Sequence, residues 1–160
     1  MKIRILITGG TIDDCHKVPK SRRCRTYISQ MIKQARIIVP IVLEHIFQKD
    51  SRDIDTVDLE KILSASKNCK EQHILITHGT FTMSETARYL GSKIKNKTIV
   101  LTGSAIPFID KNSDAMFNFG SALLAVQLLP AGVYVVMNGK VFSFDNVEKN
   151  LFDGKFVENK

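Results

Sequence analysis

Three short segments hold the residues able to do chemistry: Thr8-Gly9-Gly10-Thr11-Ile12, Thr77-His78-Gly79-Thr80 and Asn146-Val147-Glu148-Lys149-Asn150. The first two place a threonine hydroxyl in a glycine-containing turn, and the third supplies a lysine. A hydroxyl attacks carbon only when a neighbouring group takes its proton, and a lysine of lowered pKa does that. Glycines beside each threonine permit a tight turn and let backbone amides approach a ligand closely. Amides at the start of a helix after Thr80 attract anions and carboxylates.

Each segment alone has a plainer reading. Thr11 can bond locally in a β-to-loop turn, Lys149 can be a surface lysine, Ser51 between Asp50 and Arg52 can be a turn serine, and His78 beside a glycine turn is more often structural than a base. Thr8 to Thr11 is also no dinucleotide fingerprint, since no G-x-G-x-x-G spacing exists and a helix is not expected at once.

The positioning elements follow from hydrophobic patterning. Ile3 to Ile7, His73 to Thr77, Thr98 to Thr102 and Val133 to Met137 are apolar, β-branched runs that predict strands, and Ile37 to Phe47 contains a further one, the second in order, with Pro40 near its start. Residues 13–25 form a polar, basic loop. Helices are predicted at 26–35 with Ile28, Met31, Ile32 and Ala35 on one face, and from a cap at Asp55 to Lys67 with Val57, Ile62 and Leu63 inward. A third runs from the capping-box pattern Thr82-Met83-Ser84-Glu85 to Lys93, and a fourth from Ser113 or Asp114 to Leu128. Asn138-Gly139 predicts a tight hairpin, with Lys140 to Phe144 as the returning arm. Strands alternating with helices imply a parallel sheet covered on both faces, whose ligands sit outside the carboxyl ends of the strands. Thr11, Ser51, Thr80 and Ser104 each follow one of the first four strands, and Lys149 follows the hairpin.

Composition narrows the class. At 160 residues the chain fits one domain with a real core. The net charge of +7 owes much to Lys17, Lys20, Arg22, Arg23 and Arg25. Interleaved aromatics for base stacking are missing there, Tyr27 being the only one nearby, so a solvated loop or attraction of a small anionic substrate is preferred to nucleic-acid binding. The three cysteines, Cys15, Cys24 and Cys69, are odd in number and lack C-x-x-C, which argues against a disulfide framework and a structural zinc site and for reduced thiols. The N-terminus is not patterned as a signal peptide and no apolar stretch reaches membrane-span length, so a cytoplasmic location with no membrane partner is expected.

Taken together and in order, these segments resemble the bacterial L-asparaginase family. Thr8 to Ile12, and His78-Gly79-Thr80-x-Thr82-Met83 some seventy residues later, are similar to its two signature motifs. Asp50-Ser51-Arg52-Asp53 looks like its substrate-carboxylate loop, Leu101 to Pro107 its fourth-strand exit, and Ser113-Asp114-Ala115 its helix start. Val136-Met137-Asn138 with Val147-Glu148-Lys149 looks like its catalytic-lysine segment.

The resemblance covers the N-terminal domain of that family, so the chain resembles a short-chain form, one catalytic domain over 1–160 without the smaller C-terminal domain. It implies an α/β fold: a three-layer, doubly wound, mainly parallel sheet in flavodoxin-like order, with a C-terminal β-hairpin. It implies Thr11 as nucleophile on a side-chain amide, Thr80 as second catalytic threonine, and Lys149 as the lysine that lowers the proton affinity of Thr80. Ser51, with Arg52 beside it, matches the group that holds the substrate carboxylate. Gly10, Gly79, Phe81 and Ser104 complete the expected binding set, and glycine-turn amides stabilise the oxyanion. Ammonia is released and an acyl-enzyme hydrolysed, with no metal or organic cofactor.

Two departures stand out. The long enzymes have an aspartate after the second threonine that binds the substrate α-amine; here it is Phe81. Either Asp53 or another carboxylate replaces it, or the substrate lacks a free amine, or Phe81 points away. The long enzymes also complete each site with an acidic residue from a neighbour's C-terminal domain. Tyr27 is a poor counterpart of their mobile-loop tyrosine, because its spacing from Thr11 does not fit. Asparagine is the leading substrate; glutamine or another small primary amide, and a non-catalytic binding module, are the alternatives. A phosphoacceptor domain of flavodoxin-like fold is disfavoured for want of an acidic cluster. A homodimer or higher homo-oligomer is expected, with Leu123 to Val126 as either its surface or simply core.

Overall fold

The computed structural model describes residues 1–15 and 24–159. Strands β1 (Ile3–Gly9), β2 (Ile41–Lys49), β3 (His73–Thr77), β4 (Thr98–Thr102), β5 (Gly132–Met137) and β6 (Lys140–Ser143) form one sheet in the order β2-β1-β3-β4-β5-β6. The first five are parallel and β6 returns antiparallel to β5. This is the doubly wound, flavodoxin-like order expected. The turn into β6 is Asn138-Gly139, where both residues have positive φ, 55° and 78°. A two-residue pair, β7 (Glu148–Lys149) and β8 (Phe156–Val157), follows.

Helices cover both faces, which is why β1, β3 and β4 are almost continuously apolar. One core packs Leu6, Ile74, Ile76, Ile99 and Leu101 against α2 (Thr56–Asn68) and α3 (Met83–Lys93). The other packs Ile3, Ile5, Ile7, Leu75 and Val100 against α1 (Ile28–Gln34) and α4 (Ala115–Leu128). Arg4, the charged residue of β1, is held by Glu44 at 2.7 Å and Glu71 at 2.8 Å.

Strand β2 begins at Ile41, just after Pro40 and within the run expected to contain it; Arg36 turns the chain at φ 52° and the Pro40 carbonyl accepts from Ile3 N. Three expectations need correction. Val57 is exposed, while its neighbour Asp58 is buried and closes a capping box with Asp55. No capping box forms at Thr82: its hydroxyl donates instead to the Ser51 carbonyl at 2.9 Å. Cys15 and Cys24 form a disulfide with Cα atoms 5.2 Å apart, leaving Cys69 free. One bridge and one thiol satisfy an odd cysteine count, and a separation of nine residues is no recognisable spacing signature.

The run Leu123 to Val126 is core except for Leu124. Lys17, Lys20, Arg22 and Arg23 of the basic loop lie outside the described residues. No helix among the described residues is long and apolar enough to cross a membrane.

Candidate active site

The strand order reverses between β1 and β3, since the chain runs outward from β1 to β2 and then crosses back. The loops leaving their carboxyl ends therefore diverge and open a crevice. Gly9 and Gly10 leave β1 at φ 93° and 90°, conformations that L side chains rarely adopt. The chain then closes a short 3-10 turn at Thr11–Asp13, where no helix was expected, with Asp13 N and Cys15 N both donating to the Gly10 carbonyl.

Gly10 meets the turn after β3 face to face. A Cβ on Gly10 would lie 2.4 Å from Gly79 N, and a Cβ on Gly79 would lie 2.6 Å from Ser51 Oγ. Both glycines thus permit close approach of three loops. A second 3-10 turn, Ser51–Asp53, brings in Ser51, which is buried, and Arg52, which is exposed. Asp50 caps this turn. It accepts from Arg52 N at 2.9 Å and from Arg52 Nε and a terminal guanidinium nitrogen at 3.0 and 2.7 Å.

The result is a cleft of about 210 Å³ walled by Gly10, Thr11, Asp50, Ser51, Arg52, Gly79, Phe81 and Ala105. That volume suits a metabolite of a few heavy atoms. Most of the expected site residues converge here. Ser104 does not reach the wall: it is buried one residue behind, its Oγ without a hydrogen-bond partner among the described residues, and Ala105 takes the place.

Thr80 is 4% exposed and accepts a 2.7 Å hydrogen bond from Lys149 Nζ. Burial, and then repulsion from Arg52, lower the Lys149 pKa below that of an ordinary lysine. The lysine is placed by a relay from the far edge of the sheet. Strand β7 pairs with β8, Phe156 N donates to Asn138 Oδ1, and Asn138 N donates to Asn118 Oδ1 of α4, each at 3.1 Å. Arg88 of α3 donates to the Val147 carbonyl at 2.9 Å. Asn138 was legible as a turn residue; Asn118 and Arg88 carry no signal in the sequence.

His78 is fully buried. Its Nδ1 lies 2.7 Å from the Gly79 carbonyl, which can only accept, so Nδ1 carries the proton and Nε2 accepts from the Thr86 hydroxyl at 3.0 Å. Burial lowers its pKa to about 4, so it is neutral and shapes the Gly79–Thr80 turn. Sequence reasoning missed Asp13. This buried carboxylate accepts from Tyr27 N at 2.9 Å and Thr26 Oγ1 at 3.2 Å, and desolvation raises its pKa to about 6. With the Cys15–Cys24 bridge it fastens the start of α1 to the Thr11–Asp13 turn. The Tyr27 ring packs 5.9 Å from that of Phe108. No metal-binding cluster occurs among the described residues.

Phe81 points outward, 49% exposed, between this cleft and an adjoining one lined by Glu85, Arg88, Glu148 and Lys149. Lys149 Nζ lies 4.2 Å and the Arg52 guanidinium 5.0 Å from its ring centroid.

Two apposed glycine turns and a threonine–lysine pair thus stand at the switch point of a doubly wound α/β sheet, the place where such folds bind small molecules. The sequence model of the asparaginase N-terminal domain matches residues 2–153, and the chain belongs to the asparaginase family. It is 32% identical over 157 residues to the L-asparaginase of Thermococcus kodakarensis, covering 93% of this chain and 48% of that protein. It is 30% identical over 159 residues to a probable periplasmic L-asparaginase of Haemophilus influenzae, covering 92% and 46%.

The structure of the thermostable Thermococcus kodakarensis L-asparaginase superposes with a TM-score of 0.85 at 29% identity, over 99% of this chain and 51% of that one. That of L-asparaginase I from Vibrio cholerae has a TM-score of 0.79 at 24% identity, covering 98% and 51%, a likeness of fold. The chain spans about half the length of the relatives it matches.

Proposed function

We propose that this protein hydrolyses the side-chain amide of a small amide such as L-asparagine, releasing ammonia. The observation that carries the proposal is the 2.7 Å contact between Lys149 Nζ and Thr80 Oγ1, with burial and Arg52 together depressing the lysine pKa. A lysine of lowered pKa bonded to the Thr80 hydroxyl lowers the proton affinity of that hydroxyl and can exchange a proton with it. Membership in the asparaginase family supports the same chemistry.

Thr11, on the cleft wall, is the nucleophile. Its Oγ bonds to the amide carbon as the hydroxyl proton passes to the Thr80–Lys149 pair, the C–N bond breaks, and that proton leaves on the nitrogen as ammonia departs. Water then cleaves the Thr11 ester and restores the hydroxyl. The glycine-turn amides stabilise the oxyanion, and Ser51 with Arg52 holds the substrate carboxylate. The test is ammonia release by wild type and Thr11→Ala. Thr11 lies in a half-buried turn, so the variant folds, and its turnover falls by three orders of magnitude or more. A folded Thr11→Ala protein that hydrolyses amide near the wild-type rate sinks the mechanism.

A further inference from the structure

Among the described residues, the one acidic side chain on the cleft wall is Asp50, and it is engaged by the backbone N–H, Nε and a terminal nitrogen of Arg52. Every other wall residue except Arg52 is neutral. Phe81 presents a ring whose π-system already lies beside two cations, Arg52 and Lys149. An ammonium brought to that ring meets like charges that oppose it. A carboxylate finds the reverse: the Arg52 guanidinium and the Ser51 hydroxyl beside glycine turns. Glu85 and Glu148 are exposed and lie in the adjoining cleft past Phe81, and Asp53, on the same turn as Ser51, does not line the wall.

Resting on the reading of this cleft as an amide-hydrolysing site, we propose that it selects monoamides of small dicarboxylic acids that lack an α-ammonium group, and that Phe81 sets this preference. Succinamate is the simplest probe: water adds, the C–N bond breaks, and succinate and ammonia leave.

Two readouts separate this inference from the hydrolysis itself. In ammonia-release assays kcat/KM for succinamate exceeds that for asparagine by tenfold or more. In calorimetric titrations succinate, the corresponding product, binds at least tenfold more tightly than aspartate. Phe81→Asp supplies the missing acceptor and moves both ratios at least tenfold toward the amino-acid ligand. Should succinate outbind aspartate while neither amide is hydrolysed, ligand selection stands and the hydrolysis reading fails. A wild type that prefers asparagine and aspartate overturns the inference while leaving hydrolysis intact. So does a Phe81→Asp variant that folds and leaves both ratios unmoved. If wild type neither binds nor cleaves any of the four, the inference is overturned together with the functional reading.

Discussion

Gly10→Ala tests whether contact between two turns assembles the cleft. Gly10 sits at φ 90° and ψ −169°. Holding an L residue in such a sparsely populated region costs about 1–3 kcal/mol. The added Cβ would also lie 2.4 Å from Gly79 N, 2.5 Å from Gly79 Cα and 2.9 Å from the His78 carbonyl carbon. All three are backbone atoms, so no side chain can swing aside, and overpacking of this kind costs another ~1–3 kcal/mol. The expected loss is therefore roughly 2–6 kcal/mol, against a total domain stability of about 5–15 kcal/mol.

Denaturant unfolding followed by circular dichroism, with a common m-value, measures it. Gly120→Ala is the matched control. It lies on the exposed face of α4 with nothing within 4 Å of the new Cβ, so it should gain roughly 0.5–1 kcal/mol from helix propensity. Amide hydrolysis by the folded fraction of Gly10→Ala should also fall, because relief of the clash separates the turns that bear Thr11 and Thr80. A Gly10→Ala protein within about 0.5 kcal/mol of wild type would show that the turns do not press on one another, and the account of the site would fail.

Reduction of the Cys15–Cys24 bridge should cost about 2.5 kcal/mol by the loop-closure entropy of a nine-residue separation; equal melting curves with and without a thiol reductant would exclude it. His78, neutral in the fold with a pKa of about 4 against an unfolded 6.5, gives stability that is complete above pH 6.5 and lost as pH falls toward 4. Asp13, raised to about 6, acts oppositely, its contribution being lost as pH rises from about 4 to 6. Wild type should accordingly change little between pH 4.5 and 6, while Asp13→Asn should lose about 1.4 kcal/mol per pH unit on acidification; matching profiles would refute the assignment. We also expect a homo-oligomer, with Phe117, Leu124 and Leu128 of α4 as its contact stripe, since all three are more than half exposed; light scattering at the 18.0 kDa monomer mass at micromolar concentration would contradict it.

Much of this fold was legible because its signals are local. Parallel strands buried on both faces read as short β-branched runs, and Asn138-Gly139 could scarcely be anything but a tight turn. The glycine–threonine turns and Lys149 were legible as types, and the topology accounts for why they lie at one edge. What stayed hidden depends on contacts distant in sequence. Thr82 has the pattern of a cap, yet the Ser51 carbonyl, thirty-one residues away, competes for its hydroxyl and wins. Cys15 bonds Cys24, nine residues on, with no spacing motif to announce it. Asp13 looks like a loop acid until Thr26 and Tyr27 are packed against it. Val57 and Ile62 are both apolar residues on α2, and only the packing of the sheet decides which one faces inward.

The relay that places Lys149 makes its position depend on residues outside the cleft wall. The lysine is steadied through Phe156, which pairs across to β7 and bonds Asn138, and Asn138 is held in turn by Asn118 of α4. The small β7–β8 pair thus acts as a clasp, pinned at the end of β5 and apart from the glycine turns that leave β1 and β3. A substitution at Asn118 or Asn138 would loosen the lysine's hold on the Thr80 hydroxyl without altering a single residue of the cleft wall.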